Sequence, residues 1–199
     1  ARNDGRLPFN PFAGYINSPE SVDRGYVTKE EIHTMMNTEM PDKTHELVRD
    51  LFLFSTFTGL AYSDVKNLTA DNLQTFFDGN LWIITRRKKT NTESNIRLLD
   101  IPKRIIEKYK GMTRDNKVFP MPSNTTCNKI LKAIAKLCGI KTHLTYHVAR
   151  HSAATTILLS NGVPIETVSR LLGHTNIKNL EQLSDKLGDM EKSICLSLI

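Results

Sequence analysis

Cysteine is scarce in this chain. Its 199 residues contain three, Cys127, Cys138 and Cys195, and none stands in a C-x-x-C pair. That excludes a disulfide framework and a thiolate metal cluster. It suits reduced thiols in a cytosol, with Cys127 and Cys138 packing rather than reacting. Long apolar runs are missing too: no stretch approaches the roughly 18–20 residues of a membrane span. The opening A-R-N-D-G-R-L-P-F-N-P-F has no apolar centre of the kind a secretory leader carries. We therefore expect a cytoplasmic chain with no membrane partner. There is no G-x-x-x-x-G-K-S/T, the common ATP-binding loop. No paired carboxylates sit near the basic segments, where a Mg²⁺-dependent nuclease would place them. No cofactor and no metal is expected.

Positive charge, by contrast, is in surplus. Lys and Arg number 27 against 21 Asp and Glu, a formal net charge of +6. With a pI near 9.2, this favours a polyanionic partner, nucleic acid first. The charge is also clustered. Arg86-Arg87-Lys88-Lys89 is one basic run, and Lys129, Lys132, Lys136, Lys141 and His143 form a second group. A hydrophobic content of 39% supplies a real core, and the length fits one domain, or one and a small appendage.

Residues 1–25, with Pro8, Pro11 and Pro19, read as a linker. Thr28 and Glu31 make a capping box for a helix from Lys29 to about Asn37. Met40-Pro41-Asp42 is a break. Leu47, Val48, Leu51, Phe54 and Ser55 then recur at helical spacing between Glu46 and Thr58, and Gly59 is the stop. Ser63 is expected to cap a short helix running from Asp64 to Leu68. Strands are expected from Asn72 to Phe77, from Leu81 to Thr85 after the turn Asp78-Gly79-Asn80, and from Ile96 to Leu99. Pro102 opens a helix to about Tyr109, and Asn124 starts another that Gly139 ends. The fold class is mainly α with a small antiparallel β-sheet.

The most informative stretch runs from Leu144 to His174. His147 and Arg150 are three apart, so on a helix they share one face. Ala149, Ser152, Ala153 and Ala154 are small and suit close packing. Asn161-Gly162-Val163-Pro164 breaks the helix, and the next carries Ile165, Val168, Leu171 and Leu172 on one face before Gly173-His174. Arg150 and His174 are thereby delivered by two adjacent helices.

This stretch closely resembles the tyrosine recombinase, or phage-integrase, family. The H-x-x-R-H box matches His147, Arg150 and His151; the L-G-H box matches Leu172, Gly173 and His174, and the 24 positions between Arg150 and His174 also fit. The wording H-V-A-R-H-S-A-A-T … G-H-T-N-I-K is most like integrases of Bacteroidetes mobile elements. The resemblance implies a catalytic-domain fold over 26–178, following a linker from a DNA-clamping domain. It also implies a helix at 179–199 that packs on a neighbouring protomer, with Leu180, Leu183, Leu187, Met190 and Ile194 near one face. It implies site-specific cleavage and rejoining of double-stranded DNA through a 3′-phosphotyrosine, in a synaptic tetramer. Arg150 and His174 would hold the scissile phosphate, and His147 would support acid/base chemistry, since a histidine titrates near neutrality. Lys89, with Lys88 as the alternative, would protonate the leaving 5′-oxygen. Asp64 and His151 would orient the site, and Arg86, Arg87, Lys88, Arg97, Lys141 and His143 would contact DNA.

The sequence departs from the family pattern twice. Thr58-Gly59-Leu60-Ala61-Tyr62-Ser63-Asp64-Val65 matches the first box, but Ala61 stands where an arginine is usual; Arg86, Arg87 and Arg97 are the candidates to compensate. Leu183 stands where the nucleophilic tyrosine is usual, and no tyrosine follows Tyr146. We expect the natural polypeptide to carry the nucleophile in a segment between Lys178 and Asn179. The competing reading is a catalytically inert DNA-binding relative, and a type IB topoisomerase is a third. The intact mass of the natural polypeptide should therefore exceed 22.6 kDa, with a tyrosine-containing peptide mapping after Lys178. A mass equal to that value would leave the inert reading standing.

Overall fold

A computed structural model describes residues 25–77, 79–86, 93–113 and 115–172. Among these, helices dominate. The first, α1 (Lys29–Asn37), starts at the expected capping box: Glu31 N–H donates to Thr28 Oγ1 at 3.2 Å, and Thr28 N–H donates to Glu31 Oε2 at 2.9 Å. The second, α2 (Lys43–Thr58), begins a turn earlier than its apolar pattern suggests. Asp42, read as part of a break, is its N-cap and accepts from Thr44 and His45 N–H at 2.7 and 2.9 Å.

Helix α2 is the spine. Val48, Leu51, Phe52, Leu53 and Phe54 are all buried, so the helix is enclosed on most sides. It packs against α4 (Asp100–Tyr109), α5 (Asn124–Leu137) and α6 (Tyr146–Ser152). Phe54 meets the edge of Phe119 at 4.8 Å between ring centroids. Truncating a core side chain such as Leu51 to alanine would cost about 2–5 kcal/mol.

After Gly59, in the left-handed conformation at φ 67°, comes α3 (Tyr62–Asn67). It starts before the expected cap: Ser63 lies inside the helix, and the Asp64 carboxylate reaches back to Ala61 N–H at 3.4 Å. A three-stranded antiparallel sheet follows in the order β1 (Leu73–Thr75), β2 (Leu81–Arg86), β3 (Glu93–Arg97). Ile83 pairs with Ile96, and Ile83 is buried in the core. Strand β1 is shorter than expected because Asn72 belongs to a 3₁₀ turn (Ala70–Asn72), where its side chain binds Thr69 N–H and the Ile84 carbonyl. Strand β3 begins earlier than expected, at Glu93.

Helix α6 does not simply end. It runs into a π-helical segment (Ala153–Leu158), then a 3₁₀ turn (Leu159–Asn161), and Gly162 at φ 77° turns the chain into α7 (Ile165–Leu172). Ala154, Val168 and Leu172 form a second small core with Tyr26 and Ile165 packed against it. Val27 is tied to this region at both backbone polar groups. Its N–H donates to Ser152 Oγ at 2.9 Å, and its carbonyl accepts from Thr156 Oγ1 at 2.6 Å. The expected linker and the expected C-terminal helix lie outside the described residues.

Away from this end, α2 and α4 are joined by a polar network around buried Asp50. Its carboxylate accepts from Arg49 Nε at 2.9 Å, Lys108 Nζ at 2.6 Å and Tyr109 OH at 2.8 Å. Desolvation pulls the Lys108 pKa down, but hydrogen bonds and charge from Asp50 and Glu46 outweigh it, and the net shift is upward. Burial, then the Asp50 hydrogen bond, drives the Tyr109 hydroxyl well above its ordinary range. Burial also raises Tyr62 and Tyr146 and pushes the Cys127 thiol up to about 11. In each case the folded state holds its proton longer than the unfolded chain does. The associated stability is thus complete below the unfolded pKa and is lost as pH rises toward the folded one. We expect the urea midpoint to fall progressively once pH passes about 9 to 10, the unfolded range of cysteine and tyrosine. A midpoint constant through alkaline pH would contradict these assignments.

Candidate DNA phosphate site

Arg150 lies on α6, one turn before the π-helical segment. Its Nη1 donates to the Gly59 carbonyl at 3.0 Å, and its Nη2 donates to the Leu172 carbonyl. Both acceptors close helices: Gly59 follows α2 and Leu172 ends α7. Carbonyls at helix C-termini lack intrahelical partners and carry the negative end of the macrodipole, so a guanidinium there is favourable. The contact also demands a small residue at 59. A Cβ built on Gly59 would sit 2.5 Å from Leu172 Cδ2.

A cleft of about 680 Å³ opens beside this junction. One wall is the segment after Gly59, with Ala61, Tyr62 and Ser63; another is the start of α5, with Asn124 and Asn128. The third runs along the approach to α6 and its first turns, with His143, Thr145, Tyr146, His147, Val148 and Arg150. His147 is exposed, and its ring meets His151 edge-on at 4.7 Å between centroids.

The frame beneath the cleft is polar and satisfied. Tyr146 OH accepts from Ser55 Oγ at 2.8 Å and donates to the Leu51 carbonyl at 3.0 Å, fixing the start of α6 to the middle of α2. Tyr146 N–H donates to Asn128 Oδ1 at 2.8 Å, so α5 caps α6. The Tyr62 ring stands edge-on to Tyr146 at 5.4 Å, and its hydroxyl donates to the Pro122 carbonyl at 2.7 Å. Tyr146 is buried, and burial drives its hydroxyl far above the ordinary range. It is a structural tyrosine, its hydroxyl bonded on both sides.

The structure thus brings Arg150, His147 and His143 to one cleft, with His151 against His147. Asp64 is buried and holds the Ala61 backbone from behind rather than lining the cleft. Arg86 ends β2 and is exposed; Arg97, on β3, donates from Nη2 to Asn80 Oδ1 at 3.0 Å. Lys141 is exposed on the loop before α6. Arg87, Lys88, Lys89 and His174 lie outside the described residues. Sequence reasoning missed Asn124, Asn128 and Thr145. The four-residue spacing of the two asparagines, which puts them on one face of α5, was the available signal. Among the described residues no group of three His, Cys, Asp or Glu is placed to hold a metal ion.

Comparison with known proteins identifies the family and the fold. The model of the phage integrase family matches residues 25–183, and the chain belongs to that family. Tyrosine recombinase XerA of Saccharolobus solfataricus is 30% identical over 125 residues, covering 62% of this chain and 40% of the relative. XerA of Thermococcus onnurineus is 28% identical over 180 residues, covering 82% of this chain and 58% of the relative. This chain therefore spans less than two thirds of these relatives. Among solved structures, the XerH site-specific recombinase in its post-cleavage complex with palindromic difH substrate superimposes with TM-score 0.71 at 16% identity. That match covers 91% of this chain and 55% of the other. A lambda integrase(75-356) dimer bound to a COC′ core site gives 0.69 at 18% identity, covering 94% and 68%. The fold is that of the recombinase catalytic domain. No described helix is long and apolar enough to cross a membrane.

Gly59→Ala is expected to lower stability by about 1–3 kcal/mol, from the positive φ and the Leu172 contact together. Thermal or urea unfolding of the variant measures this. An unchanged midpoint would show that Leu172 gives way freely and that the α2–α7 approach is loose.

Proposed function

We propose that this chain is the catalytic domain of a site-specific tyrosine recombinase acting on double-stranded DNA. The observation that carries the reading is Arg150, anchored to two helix ends in a cleft that also holds His147. Cleaving a phosphodiester requires a nucleophile, neutralisation of charge on the nonbridging oxygens, and a proton for the leaving oxygen. Arg150 supplies planar donors for the phosphoryl oxygens, and its anchoring reduces reorganisation as charge develops. His174 adds a hydrogen bond to the same phosphate, and His147 moves protons. Lys89, in the loop between β2 and β3, protonates the departing 5′-oxygen. A tyrosine from beyond Lys178 forms the 3′-phosphotyrosine, which conserves the bond energy for rejoining. Asp64 positions the Ala61 segment, and Arg86, Arg97 and Lys141 contact the DNA backbone.

The finer reading is an integrase of a Bacteroidetes mobile element. It would work in the cytoplasm as a synaptic tetramer, with residues 1–25 leading from a DNA-clamping domain and 179–199 packed on a neighbouring protomer. The DNA in the XerH and lambda integrase structures supports the choice of partner. The inert DNA-binding reading rests on Leu183 and Ala61 and stays as the alternative.

Arg150→Ala should lower strand cleavage at least about a hundredfold. It should reduce nonspecific duplex affinity by less than about threefold, because backbone attraction is spread over many cations. Arg150→Lys should not restore cleavage, since a lysine cannot reproduce the planar fork. A suicide substrate that traps the covalent complex, read beside a gel-shift titration, separates these effects. Retained cleavage by the alanine variant would remove Arg150 from the proposed role.

A further inference from the structure

We propose that His143 is a phosphate-contacting residue that supplies, from the loop before α6, the donor that Ala61 cannot. The proposal rests on the recombinase reading and deepens it. Among the described residues lining the cleft, His143, His147 and Arg150 carry the cationic or proton-bearing groups; the rest are uncharged. Two of the three, His147 and Arg150, share one face of α6. A phosphodiester held by these two would take its charged donors from one helix only.

His143 comes from a different segment. It lies on the segment between α5 and α6, outside the helix that carries the other two. It is exposed, and its ring makes no hydrogen bond among the described residues. Ala61 also lines the cleft, and its methyl group donates nothing. Arg86 and Arg97 do not line the cleft, and Arg97 is engaged with Asn80 at the β1–β2 turn. The backbone around His143 is fixed: Leu144 is fully buried and Tyr146 is bonded to Asn128 and Leu51. An imidazole N–H donates to a phosphate oxygen in either protonation state, and more strongly as the cation.

The test uses inorganic phosphate as the probe, so it does not depend on the nucleophile. The chain, labelled with ¹⁵N in Arg and His, is titrated with phosphate while Arg150 Nε and the His143 ring nitrogens are followed by NMR. Shifts of both signals along one binding curve are expected. His143→Ala should weaken phosphate binding at Arg150 at least about fivefold, and adding Ala61→Arg to that variant should restore it. Equal melting midpoints confirm that the exposed position has not unfolded the chain. Unchanged affinity at Arg150 in His143→Ala overturns the proposal and leaves the recombinase reading intact. So does a loss that Ala61→Arg fails to restore, because the effect then comes from the loop rather than the donor. If phosphate does not move the Arg150 signal in the parent chain, the phosphate-site reading falls and this proposal falls with it.

Discussion

Two helix ends meet over one guanidinium. The C-terminal turns of α2 and α7 both present carbonyls that no backbone N–H among the described residues satisfies, and such carbonyls carry partial negative charge. Brought together unaided, they would repel and would both demand water. Arg150 answers both at once, from Nη1 to Gly59 and from Nη2 to Leu172. The rest of this region follows from that contact. Residue 59 must be small because Leu172 lies against it, and Ala153 and Ala154 are buried where the same elements converge. The cation is therefore a structural joint as well as a lining residue of the cleft.

Polar groups inside the domain are divided by task. Around Asp50 an ionic network joins α2 to α4, and each partner there is matched to a carboxylate oxygen. Beneath the cleft, neutral hydrogen bonds tie α6 and α3 to their surroundings: Ser55 to Tyr146, Tyr146 to Leu51, Tyr62 to Pro122. The buried Asp64 carboxylate accepts from donors of its own segment, Ala61 N–H and Ser63 Oγ.

Features set by local chemistry were legible in the sequence. The Thr28–Glu31 box, the stop at Gly59 and the Gly162-Val163-Pro164 turn each depend on residues close in the chain. So does the shared face of His147 and Arg150. Where a side chain chose between two local partners, the reading slipped. Asp64 rather than Ser63 closes the start of α3, and Asp42 starts α2 rather than merely interrupting the chain. Tertiary contacts were not legible. Asn128 matters because α5 crosses the start of α6, and nothing in the composition of α5 reports that crossing. His143 was legible as one DNA-contacting group among several, but charge clustering does not reveal which members face the same cavity. The π-helical segment was hidden as well: Ala-Ala-Thr-Thr-Ile-Leu has ordinary helical content, and the widened turn shows only in the backbone, where Leu159 N–H donates to the Ala154 carbonyl five residues back.

The tie at Val27 gives this domain a direction. The chain enters the described fold through a residue whose N–H and carbonyl are both bonded to the helical run that continues from Arg150. A tug on the preceding polypeptide would reach Thr142, which donates to the Tyr26 carbonyl, and then Ser152 and Thr156, a turn or two from the guanidinium. The chain's point of entry and the cleft's main cation thus hang from the same stretch of backbone, so tension at one is posture at the other.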